Sequence, residues 1–110
     1  MNYVGLIIEE SLNDKSILKE LEILDLKVTD EPNPADRWHM YTVQVNREQI
    51  TKIQKSMDDG KWYTNFFHGD DGIVVYKDRI FEYKKGDVEG REKAVEFGRS
   101  IGVPEEKLDF

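Results

Sequence analysis

The residue types that could do chemistry fall in three places. The pentapeptide HGDDG, residues 68–72, sets His68 beside Asp70 and Asp71. That mixture of imidazole and hard oxygen donors could hold a divalent ion if further ligands arrived from elsewhere. His39 stands in the segment RWHMYTVQV beside Trp38 and close to Tyr41, and could act as a general base if a carboxylate oriented it. Glu9 and Glu10 follow the first apolar run. In an open parallel sheet that position would be a ligand site. In an antiparallel sheet the pair is expected to solvate a loop and to offer negative charge to the amides of the next helix.

Each of these features also has an ordinary structural reading. Glycine and aspartate between KWYTNFF and IVVYK are what a tight hairpin loop demands, because glycine supplies positive φ and aspartate bonds its own backbone. Turn chemistry then accounts for every residue of HGDDG except His68. The spaced acids and closing glutamate of a calcium loop are missing, and GDVEG lacks the lysine and hydroxyl residue of a phosphate-binding loop. No elbow motif surrounds Ser11, Ser16, Ser56 or Ser100, so serine hydrolase chemistry is not indicated. The chain has no cysteine, which removes disulfides, thiolate nucleophiles and sulfur-ligated metals. No cofactor is expected.

The elements that must position these residues can be read from periodicity. Tyr3 to Ile8 is apolar on both alternating faces and suits a central strand. Ile17, Leu18, Leu21 and Leu24 recur at helical spacing behind Ser11 or Asn13 as a cap. Asp25 to Thr29 alternates as a short strand, and DEPNPAD breaks it. RWHMYTVQV is a full strand whose more apolar face carries His39, Tyr41, Val43 and Val45. Asn46 with Gln49 forms a capping box for a helix that turns Ile50, Ile53 and Met57 inward and stops at Gly60. Trp62 to Phe67 is strand again, GIVVYKDRIFEYK is a hairpin turning near Asp78, and Asp87 caps a last helix with Ala94, Val95, Gly98 and Ile101 on one face. The order β-α-β-β-α-β-β-β-α predicts an α+β, ferredoxin-like two-layer sandwich. Its antiparallel sheet would have about five to six strands, with an added C-terminal hairpin and third helix.

Composition narrows the partners. The 110 residues are 38% hydrophobic and 35% charged with a net charge of −7, which describes one domain, residues 1–110, with a charged surface that repels phosphate backbones and anionic lipid. Nucleic acid and membrane are therefore not expected partners. The apolar run at the N-terminus is too short for a signal peptide and has no positive flank, so a cytoplasmic location is expected. Lys77, Arg79, Lys84 and Lys85 cluster around the last hairpin and read as protection of a sheet edge.

The excess is aromatic, and it falls in strands. Trp62 and Phe66 must point one way while Tyr63 and Phe67 point the other. Two helices cover one sheet face, so the second apolar face needs the third helix, a ligand or a second subunit. The expected role is a non-catalytic small-ligand-binding or protein-interaction module. Its binding residues would be Trp38, His39, Trp62, Tyr63, Phe67 and His68, and it could form a homodimer through the sheet face or an edge strand. The alternatives are a small enzyme with a histidine–carboxylate site and a metal-binding protein using His68, Asp70 and Asp71. What discriminates most is whether a pocket opens between the sheet face and the C-terminal VPEEKLDF.

The segments MNYVGLIIEESLNDKSIL, KWYTNF and SIGVPEEKLDF resemble those of a family of small, uncharacterised prokaryotic proteins. The resemblance runs over most of the chain. It implies a compact, single-domain cytoplasmic protein and lends no ligand or catalytic residue.

Overall fold

The computed structural model describes residues 2–110 and is α+β. Six strands, β1 (Tyr3–Ile8), β2 (Glu22–Val28), β3 (His39–Val45), β4 (Tyr63–His68), β5 (Asp71–Tyr76) and β6 (Ile80–Lys84), form one sheet in the order β2-β3-β1-β4-β5-β6. Every neighbouring pair is antiparallel. The α-helices among the described residues are α1 (Arg47–Ser56) and α2 (Val88–Ser100); a 3-10 segment spans Lys15–Glu20, and short 3-10 turns lie at Glu9–Ser11, Pro34–Asp36 and Glu105–Lys107. Among the described residues, no helix is long and apolar enough to cross a membrane.

Residues opposite one another in an antiparallel ladder share a face, so the registers sort the side chains. On one face, Tyr3, Ile7, Val43, Val45, Phe66, Ile73 and Val75 are buried with Ile50, Ile53 and Met57 from α1 and its end, and with Leu12, Ile17, Leu18 and Leu21. Gly5 lies in the middle of this layer because a Cβ there would collide with the carbonyl of Asn65 and the ring of Phe66. On the other face, Val74 and Tyr76 are buried beneath Ala94 of α2. That helix therefore roofs the β5–β6 part of its face.

The capping box is present: Asn46 accepts from the Gln49 amide at 2.8 Å, and the Gln49 side chain accepts from the Asn46 amide at 2.9 Å. Asp87 caps α2 through the Gly90 amide at 3.0 Å. HGDDG is a hairpin turn, with His68 paired to Asp71 and Gly69 at φ 55°.

The first helical segment differs from expectation. It is a 3-10 segment that stops at Glu20, and β2 begins at Glu22 rather than Asp25. Ile17, Leu18 and Leu21 do face the core, but Leu24 is in the strand and exposed. Two non-local bonds explain the shift: Asn13 and Asp14 donate their amides to the Ser56 carbonyl at the end of α1. With the chain pinned there, too few residues remain before β2 for a stable α-helix.

Candidate functional site

The uncovered half of the second face carries a groove that makes it the candidate site. Val4, Leu6 and Phe67 lie there 40%, 41% and 45% exposed, while the chain leaving α2 returns along the sheet as residues 103–110. Between them opens a groove of about 440 Å³. Leu6, Ile8 and Met40 form its apolar floor with Asn65, Trp38, Trp62 and Tyr63 stand at its side, and Val103, Pro104, Lys107 and Asp109 close it. A volume of this size suits a small ligand.

Sequence and packing together fix the walls. Ile8 is opposite Met40 and Leu6 opposite Asn65, so alternation places all four on one face. Trp38 and Trp62 meet edge to face with ring centroids 5.4 Å apart, which holds both rings in a defined orientation. The Lys107 ammonium sits 4.8 Å from the Trp38 ring centre, a cation–π distance.

The tail that forms the far wall is tied down. The Tyr63 hydroxyl donates to the Lys107 carbonyl and lies 3.3 Å from Asp109 Oδ1, and the Arg91 Nε donates to the Phe110 carbonyl at 2.6 Å. The Phe110 ring packs edge to face on Tyr63. Burial, with the Asp109 carboxylate second, pushes the Tyr63 phenol up to about 12. It therefore stays protonated and keeps donating throughout the neutral range.

The six expected binding residues divide. Trp38, Trp62 and Tyr63 line the groove together. Phe67 is on the same exposed face but lines no part of it, and its neighbour across the ladder is Val4. His68 is elsewhere: its Nδ1 lies 2.7 Å from the Asn2 carbonyl, so that nitrogen carries the proton, and Asp71 pairs with Lys84 at 3.0 Å instead. The structure does not gather His68, Asp70 and Asp71 into a donor set.

His39 points to the opposite face, where the sequence reading of Glu9 and Glu10 needs correction. Rather than serving helix amides, Glu10 accepts from the His39 backbone at 2.6 Å and stands 3.0 Å from its Nδ1. Glu9 accepts from the Tyr41 hydroxyl at 3.1 Å. A carboxylate can only accept, so Nδ1 of His39 is protonated and Nε2 is left as the acceptor of a neutral ring. Desolvation, then the Glu9 bond, holds the Tyr41 phenol above its usual value. Among the described residues, Glu9, Glu10 and His39 are the one group whose donor atoms lie close enough, within 4.8 Å, for a metal ion. Only the crossing of β1 past β3 brings residues 9 and 39 together, a pairing that the sequence alone did not expose.

Leu6, Ile8, Met40, Lys107 and Asp109 were not singled out in advance. The signal for Leu6 and Ile8 was the double-sided apolar pattern of β1; Met40 of β3 carried none of that kind. No protein-family model, curated protein or solved structure matches the chain.

Proposed function

We propose that the protein is a small-ligand-binding module of ferredoxin-like type, taking a flat, mostly apolar molecule into the groove between the open half of its sheet and residues 103–110. The observation that carries this reading is the groove itself. It pairs an apolar floor of Leu6, Ile8 and Met40 with aromatic sides and a polar rim, the composition of small-molecule sites in general. The ferredoxin-like assignment is supported by the order β2-β3-β1-β4 of the first four strands, with β5 and β6 added as a meander. A cytoplasmic location belongs to the same proposal, supported by a cysteine-free composition that suits a reducing compartment.

The test uses 1-anilinonaphthalene-8-sulfonate, whose fused rings match the groove. Titration should give saturable fluorescence enhancement with energy transfer from tryptophan, and Leu6→Asp should weaken binding about tenfold or more by placing an unpaired charge on the floor. Binding that ignores Leu6→Asp, or no saturable binding, sinks the reading.

A second reading rests on the Glu10–His39 contact. An imidazole held at Nδ1 by a carboxylate is arranged for proton transfer at Nε2, and this pair lies on the face opposite the groove. NMR titration of both histidines with and without divalent metals tests it. His39 resonances that titrate like those of His68 and ignore metal count against it.

A further inference from the structure

The two edges of the sheet are finished differently. At β6, Lys84 pairs with Asp71 at 3.0 Å and Arg79 beside its start lies over the Phe81 ring at 4.8 Å, charges of the kind that discourage strand addition. At β2, all seven residues of EILDLKV are exposed, and Ile23, Leu24, Leu26 and Val28 show 45–51% of their surface. The strand pairs only with β3, so its outer backbone groups face solvent. Beyond the bulge at Leu24 this edge is regular from Asp25 to Val28, and a regular, exposed edge is a template for another strand.

The order of side chains along β2 says which strand. Asp25 and Lys27 stand opposite Thr42 and Met40, and Leu26 and Val28 opposite Tyr41 and His39. The two charges therefore share one face, and the two apolar residues share the other. Turn a second copy about a two-fold axis through Leu26, perpendicular to the sheet. Asp25 of each copy then faces Lys27 of the other and Leu26 faces itself, while Leu24 lies in the bulge outside this regular stretch. Both charge pairs are attractive and the centre is apolar, so the segment is complementary to itself. We propose that two copies of this chain associate by antiparallel pairing of β2 with β2, extending one sheet across both. A symmetric contact of this kind closes on itself and forms a dimer rather than a filament. It is independent of the ligand groove, which no residue of β2 lines.

An edge contact is small, so the dimer should be roughly micromolar or weaker. Sedimentation equilibrium from about 1 µM to about 1 mM should show a monomer–dimer equilibrium. Asp25→Lys and Lys27→Asp should each weaken it at least about tenfold by placing like charges opposite one another. An equimolar mixture of D25K and K27D should associate about as well as the unaltered protein, because opposite charges then face across the edge in every pair. A monomer throughout that range overturns the proposal. So does a dimer whose constant is unchanged in both variants, which would place the contact on another surface.

Discussion

One face of the sheet is built twice over from the same materials and finished in two ways. In the β5–β6 half, Val74 and Tyr76 lie beneath α2 and are buried. In the β1–β3 half, Val4 and Leu6 face the same direction and remain about 40% exposed. Alternation cannot tell β1 from β5, because both offer apolar residues to this side, whereas β2 turns Asp25 and Lys27 to it. The difference lies in where α2 ends. Ile101 caps it and Gly102, at φ 93°, turns the chain, so residues 103–110 run along the border of the open half and leave a groove instead of a roof. Whether an apolar sheet face becomes core or site is thus decided by one helix terminus.

The largest expected effect tests that contrast directly. Val74→Asp places a charge under α2 and should cost roughly 3 kcal/mol or more of stability, whereas Leu6→Asp should cost under about 1 kcal/mol, since its site is wet. Urea denaturation of both variants measures the difference; equal losses would mean that the two halves are equally buried. Next in size is Gly5→Ala, whose methyl collides with the Asn65 carbonyl and the Phe66 ring. It should destabilise the protein by about 1–3 kcal/mol, with the groove still able to bind the fluorescent probe once folded.

Smaller effects concern the groove's outer wall. Tyr63→Phe removes the hydroxyl that holds Lys107 and should cost about 1 kcal/mol, with faster amide exchange confined to residues 103–110. The same contact predicts a pH dependence. The folded Tyr63 value, about 12, lies above the ordinary 10, so its contribution is fully present below pH 10 and is lost as pH rises from there towards 12. Burial raises Tyr76 and Tyr83 as well. Phenolate absorbance should therefore develop late, and tail-specific changes in this window should vanish in Y63F. Smallest of all is Arg99→Ala. Its guanidinium meets Glu105 at 2.7 and 2.9 Å and pulls that carboxyl below its usual range, but the pair lies at the surface, screened by solvent, and its loss should leave the urea midpoint almost unchanged. A larger loss would make this ion pair, rather than Tyr63, the anchor of the tail.

Much of this architecture was legible because its signals are local. The Asn46–Gln49 box, the Asp87 cap and the glycine turn after His68 each use residues a few positions apart. The opposite directions of Phe66 and Phe67 follow from strand geometry alone. The failures have a common cause in long-range contacts. The segment after Ser11 has the leucine spacing of an α-helix, but its bonds to Ser56 shorten it into a 3-10 segment and free Leu24 for β2. Glu9 and Glu10 looked like loop charges until the β1–β3 register placed them against Tyr41 and His39. Of the site, Trp38, Trp62 and Tyr63 could be named from their aromatic character. Leu6, Ile8 and Met40 could not, because an aliphatic floor and an aliphatic core look alike until the covering helix is placed.

The groove beside residues 103–110 is proposed to bind a small apolar molecule. The most direct test is to map amide and indole shifts by NMR while 1-anilinonaphthalene-8-sulfonate is added. The account predicts saturable shifts at Leu6, Ile8, Met40, Asn65 and residues 103–109, and at the indole protons of Trp38 and Trp62, with α1 unmoved. Shifts confined to β2 or to the Glu10–His39 face, or none that saturate, would contradict it.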